Sequence, residues 1–248
     1  MIVTMRIVVL LVVVLAIVGC GKHADEELLV SAAASLTNAF GAMEIAFEEK
    51  HPETDVVLNL GGSASLREQI LEGAPVDVFA SANGSNMDQV VADEETFGEP
   101  RVFTVNLLQI AVPAGNPARV AGLEDFADEE LLIGLCAEGV PCGDFAREVL
   151  ANAGITPSID TNEPDVRALL TKVEAGELDA AITYVTDVAS VGGRVDGVEI
   201  PDAVNVAAEY PIAVLVRAAD HGTAGAFIDF VLSQEGQAIM SEFGFTSP

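Results

Sequence analysis

The sequence predicts an α/β protein of two lobes with a ligand cleft between them. Short apolar runs alternate with stretches whose apolar residues recur at helical spacing, the signature of strands covered by helices on both faces. The 248 residues suit one large domain or two small lobes, and half of them are hydrophobic, so a sizeable core is available. No low-complexity linker or internal repeat divides the chain; two long β-rich segments, Arg101–Pro113 and Tyr210–Val216, are placed to cross between the lobes.

The first element is an address. Ile7 to Val18 form an unbroken apolar run of twelve, preceded by Arg6 and followed by Gly19 and Cys20. Twelve residues fall short of the roughly 20 that span a bilayer as a helix and fit the apolar region of a signal peptide. Ile17-Val18-Gly19 ahead of Cys20 resembles a bacterial lipobox, in which the signal is cut before the cysteine and its thiol is lipidated. The alternative is an ordinary secretory signal cut a few residues later. Residues 1–19 are thus expected as signal peptide and 20–27 as a lipidated tether, giving an exported protein held to the cell membrane through Cys20 alone.

The mature chain then reads strand, helix, strand. Leu28–Ala32 is a short apolar run. Leu36, Phe40, Met43 and Phe47 follow helical spacing up to His51-Pro52, and Asp55–Leu60 reads as a strand. Leu66, Ile70 and Leu71 mark a second helix stopped by Gly73, and Val76–Ser81 is a buried strand. An irregular stretch leads to Arg101–Pro113. In the second half Leu131–Leu135 is a strand, followed by a helix on Phe145, Val149 and Leu150 that ends at Gly154. Val166, Leu169, Leu170 and Val173 mark another helix, ended by Gly176. Ala180–Tyr184 and Tyr210–Val216 are strands, and Ala224–Phe243 is helical with a break near Gly236. The expected division is residues 28–106 with 213–248 as the first lobe and 107–212 as the second.

Composition excludes several functions. Eleven Lys and Arg against 39 Asp and Glu give a net charge of −28, which repels phosphate backbones, so no nucleic-acid partner is expected. Trp is absent and aromatics are 5%, against aromatic stacking platforms. Three His and three Cys are too few and scattered for a structural zinc site. With Cys20 set aside, Cys136 and Cys142 are an even pair in an oxidising compartment, where a disulfide is the default and contributes on the order of 2 kcal/mol. A pair of free catalytic thiols is the alternative, but the spacing is not CxxC.

Four segments sit at expected helix starts: Ala32-Ala33-Ala34-Ser35-Leu36-Thr37, Gly61-Gly62-Ser63-Ala64-Ser65-Leu66, Val140-Pro141-Cys142-Gly143 and Glu163-Pro164-Asp165-Val166-Arg167. Each offers free backbone N–H groups and a helix dipole that favour an anion. Ser35 or Ser63 alone would be a plain helix cap; all four junctions facing one cleft would be a site. The Gly61-Gly62-Ser63-Ala64 stretch lacks the ending of a phosphate loop. Tyr184 ends its strand and either places its hydroxyl in the cleft or is a partly buried aromatic. No Gly-x-Ser-x-Gly elbow is present, and His23, His51 and His221 fall in tether, helix end and loop. An exported hydrolase using the cleft serines would need a general base that the sequence does not supply. Binding is therefore favoured over catalysis.

These segments are similar to those of a known family, the molybdate-binding extracytoplasmic receptors of ABC importers. The likeness runs from about Leu28 to Phe245 and rests on Ala32 to Ala39, on Glu72 to Ala82 (Glu-Gly-Ala-Pro-Val-Asp-Val-Phe-Ala-Ser-Ala), on Val140 to Gly143, on Asp165 to Arg167 and on Gly244-Phe245. It implies a type II periplasmic-binding-protein fold that closes on one tetrahedral oxyanion, molybdate or tungstate, without a cofactor. By matching motif, Ser35 and Ser63 would donate from side chain and backbone, Cys142 and Val166 from backbone N–H, and Tyr184 from its phenol. No protein atom would ligate the metal directly. Cys142 departs from the small apolar residue of many relatives, and Val185-Thr186 from the commonest form, whereas Asp187 fits it. A donor-only site disfavours hydrogen phosphate, whose proton would be unpaired at a cost of roughly 1–3 kcal/mol, and a cavity of molybdate size would hold sulfate loosely. An ABC permease is the implied partner, and a monomer the expected state. The same fold tuned to sulfate or phosphate is the alternative.

Overall fold

Parallel strands with their carboxyl ends together, and helices that start from those ends, are what position the site. The structure, a computed structural model, describes residues 26–248. The expected signal peptide, the expected lipidation site Cys20 and the expected tether up to residue 25 lie outside the described residues. The first strand, β1 (Glu26–Ala33), already includes Glu26 and Glu27. After it come α1 (Thr37–Lys50), β2 (Thr54–Gly61), α2 (Ser63–Leu71), β3 (Val78–Ala80), α3 (Gly84–Ala92) and β4 (Arg101–Pro113). Then follow β5 (Ile133–Cys136), α4 (Pro141–Asn152), β6 (Thr161–Glu163), α5 (Val166–Glu174), β7 (Ala180–Tyr184) and α6 (Val185–Ser190). The chain closes with β8 (Val195–Val198), β9 (Ala207–Val214), α7 (His221–Leu232) and α8 (Gln234–Glu242).

The strands form one curled sheet in the order β2-β1-β3-β9-β4-β7-β5-β6, with β8 on β4. β1 runs parallel to β2 and β3, and β5 runs parallel to β6 and β7. Strand–helix alternation implies parallel sheets, and the two long strands depart from that: β9 is antiparallel to β3 and β4, and β4 is antiparallel to β7 and β8. β4 serves both halves. Its residues up to Leu107 pair with β9, and those from Leu108 pair with β7. β9 pairs with the first half of β4 from Ala207 onward.

One apolar cluster runs through both halves. In the first, Phe40 and Phe47 of α1 meet Phe227 of α7 edge to face, at ring-centroid distances of 6.1 and 5.2 Å. Phe103 of β4 lies 5.8 Å from Phe40. In the second, Leu169, Leu170 and Val173 of α5 pack with Ile133, Leu135 and Ile182 of the strands, all buried. Burial of such side chains stabilises by about 1.5–3 kcal/mol each. Two further corrections concern helices. The stretch expected to be irregular contains α3, capped by Asn83, whose side chain accepts from the Asn86 N–H. The C-terminal helix breaks at Ser233 rather than near Gly236; Ser233 Oγ caps α8 by accepting from the Gly236 N–H at 3.1 Å. Among the described residues no helix is long and apolar enough to cross a membrane.

Candidate functional site

Parallel pairing of Ala33 with Gly61 sets the ends of β1 and β2 side by side, so the turn through Ala34 and Ser35 and the start of α2 at Ser63 share one edge of the sheet. In the other half, β5, β6 and β7 lead into α4, α5 and α6, and bring Cys142, Val166 and Tyr184 to a common edge. The two edges face each other closely. A Cβ on Gly62 would lie 2.6 Å from the Pro164 carbonyl oxygen, so only glycine allows this approach. Ser35, Ser63, Cys142, Val166 and Tyr184 all line one small cavity, together with Gly62 and Asp165.

The cavity is rich in donors. The α2 start has no side-chain cap, and its first recorded backbone bond is from the Leu66 N–H to the Gly62 carbonyl, which leaves the amides of Ser63 to Ser65 free. Ser63 Oγ accepts from the Ala82 N–H at 3.0 Å, so its own proton remains available. At α4, Pro141 has no N–H, and the N–H groups of Gly143 and Asp144 both bond to the Val140 carbonyl; the Cys142 amide is left over. At α5, Asp165 caps Arg167 and Ala168 through Oδ1 at 2.8 and 2.9 Å, which leaves Val166 N–H as the uncapped amide. The preceding Glu163 is anchored to Lys172 at 2.5 Å, and that bond holds its carboxyl below the usual range.

Tyr184 carries the sharpest signal. It is fully buried, and its hydroxyl has no hydrogen-bond partner in the protein. Burial first, then its neighbours Tyr210 and Asp187, push the phenol well above its ordinary value, so it keeps its proton and can donate. Ser35 Oγ lies 2.9 Å from the Tyr210 hydroxyl, and Tyr210 is likewise pushed up by burial. The described residues lining the cavity include no Lys or Arg, and their one acid, Asp165, is engaged as a helix cap. Such an arrangement receives an anion through helix ends, amides and hydroxyls, not through countercharge. Among the described residues no group of three His, Cys, Asp or Glu could hold a metal ion. His51 is stacked on Phe47 and His221 on Phe97, and neither lines the cavity.

Cys136 and Cys142 are joined in a disulfide that ties the end of β5 to the first turn of α4. Gly143 fits there because a Cβ would lie 2.4 Å from the Cys136 carbonyl oxygen. Sequence reading missed Tyr210, whose rarity in a chain with two tyrosines was a usable signal, and the capping role of Asp165, which its place before a helical stripe could have disclosed.

The family of bacterial extracellular solute-binding proteins matches residues 28–246. Molybdate-binding protein ModA of Mycobacterium tuberculosis is 33% identical, over 95% of this chain and 94% of its own length. The ModA of Escherichia coli is 32% identical over 93% of each chain. Among solved structures, the substrate-binding domain of a putative molybdenum ABC transporter from Clostridium difficile is 28% identical, with a TM-score of 0.68 over 90% of this chain and 99% of its own. The periplasmic molybdate-binding protein of Azotobacter vinelandii, at 17% identity, a TM-score of 0.78 and coverage of 89% and 99%, shares the type II periplasmic-binding-protein fold. The chain belongs to the bacterial extracellular solute-binding proteins, in the family of molybdate-binding receptors of ABC importers.

Proposed function

We propose that the protein is an extracytoplasmic receptor that closes on one molybdate or tungstate ion and hands it to an ABC permease. Ser35, Ser63 and Tyr184 donate from hydroxyls, and Cys142 and Val166 from backbone amides. The observation that carries this reading is the buried Tyr184 hydroxyl, unpaired in a cavity whose other free groups are also donors. An unpaired buried phenol is costly, and an oxyanion is the ligand that relieves it. The names of the ModA relatives support molybdate as that oxyanion.

The lobes in this reading are residues 28–106 with 213–248, and 107–212; the pairing of β9 from Ala207 argues for a return crossover a few residues earlier. Lipid anchorage through Cys20 fits the lipobox-like segment, and a Bacillus subtilis relative at 27% identity is named a putative ABC transporter substrate-binding lipoprotein. The receptor acts as a monomer, because one cavity between its own lobes completes the donor set.

The test is calorimetric titration with molybdate, tungstate, sulfate and phosphate in parallel. One-to-one binding of molybdate and tungstate, with the other two silent, is the expected result. Binding of sulfate or phosphate instead keeps an oxyanion receptor and overturns its ligand. Silence from all four overturns the reading.

A further inference from the structure

Arg167 follows Val166 on α5 and does not line the cavity, yet its guanidinium spans the cleft. Toward the first lobe, Nε lies 3.2 Å from the Ala34 carbonyl oxygen and Nη2 3.5 Å from Asn38 Oδ1. Toward its own lobe, Nη1 donates to Ser190 Oγ at 2.8 Å, and Nε lies 3.7 Å from Asp187 Oδ1. Asp187 is fully buried; its Oδ2 accepts from the Tyr184 N–H at 3.2 Å, while Oδ1 has no hydrogen-bond partner. One Nε–H thus faces two acceptors on opposite sides of the cleft. The first belongs to the residue before Ser35; the second is an unsatisfied carboxylate oxygen.

We infer that Arg167 is a positioning residue that latches the lobes over the anion, its Nε–H moving from Asp187 in the open form to the Ala34 carbonyl in the closed form. The inference rests on the oxyanion-receptor reading. Closure leaves Asp187 Oδ1 buried and unpaired, which favours the open form without ligand. The bonds to the anion offset that cost, so the loaded receptor closes and the empty one stays open. Asp187 sets the resting state, and Arg167 holds the loaded one.

The two residues therefore have opposite effects, which damage to the fold would not produce. Purified wild-type protein, Arg167→Met, Arg167→Lys and Asp187→Asn are compared by stopped-flow release of molybdate and by small-angle scattering with and without molybdate. Arg167→Met is expected to release molybdate about tenfold faster or more, with little change in association rate, and Arg167→Lys to fall between it and the wild type. Asp187→Asn is expected to release more slowly, and its empty form to be more compact than the wild type. Wild-type release from Arg167→Met, or faster release from both Arg167→Met and Asp187→Asn, overturns the latch. If the wild type does not bind molybdate, the ligand assignment fails separately. The empty forms then decide: an Asp187→Asn form more compact than both the wild type and Arg167→Met sustains the latch, and identical radii overturn it. Should Arg167→Met not fold, Arg167→Lys and Asp187→Asn carry the same comparison.

Discussion

A phenol buried without an acceptor costs about 1–3 kcal/mol, and at Tyr184 the cost is borne beside a cavity of other donors. Tyr184→Phe removes the unpaired group and the donor together. The empty variant should be as stable as the wild type or more so, while its molybdate affinity falls by about 1.5–3 kcal/mol, roughly ten- to a hundredfold in calorimetry. Undiminished affinity would mean that the phenol never meets the anion. Asp187 gives a second residue-scale expectation. Burial raises its carboxyl from 3.8 to about 6, against the opposing pull of Arg167 and the Tyr184 N–H. Between those values the folded protein binds more protons than the unfolded chain. The contribution of Asp187 to stability is therefore full below about pH 4 and is lost as pH rises through about 6. Asp187→Asn should remove that slope from denaturant-unfolding curves and be more stable above pH 7 by about 2–3 kcal/mol. A pH profile parallel to the wild type would contradict this. Ser63 and Tyr184 could be singled out in the sequence because each stands at a strand or helix end. The bond from Tyr210 to Ser35 and the reach of Arg167 to Ala34 could not, since each joins residues more than a hundred positions apart.

At the scale of elements, the site is four chain turns whose first amides have no helix partner. Strong apolar stripes made α1, α4 and α5 legible, and their strands with them. α3 was not, because its buried apolar side chains are few and it opens with Gly84, Ser85 and Asn86. β6 is three residues, Thr161–Glu163, with nothing apolar among them. Strand direction was not legible either: alternation of apolar residues is the same for parallel and antiparallel neighbours, so the reversal of β4 and β9 appears only in the pairing. The disulfide pins the turn that presents the Cys142 amide. Replacing both Cys136 and Cys142 with Ser should cost about 2 kcal/mol, or about 4–8 °C in Tm, yet leave molybdate binding in place because the donor is backbone. Complete loss of binding by a folded variant would show that the closed turn, not the amide alone, makes the contact.

The whole molecule carries a charge of −28, and the described lining of the cavity proposed for the anion includes no cation. Long-range repulsion should slow capture at low ionic strength and fade once the Debye length falls to about 8 Å at physiological salt. Stopped-flow association with molybdate should accelerate as salt is raised from about 0.01 to 0.15 M; a rate that falls over that range would reveal a cationic entry path. The measurement that bears most directly on the site is the position of the anion itself. Crystals grown with molybdate, recorded with the anomalous signal of molybdenum, should show one peak in the cavity with its oxygens about 2.7–3.2 Å from the Tyr184 hydroxyl, Ser63 Oγ and the Cys142 and Val166 amides. A peak elsewhere, or none between the lobes, would contradict the assignment of these residues.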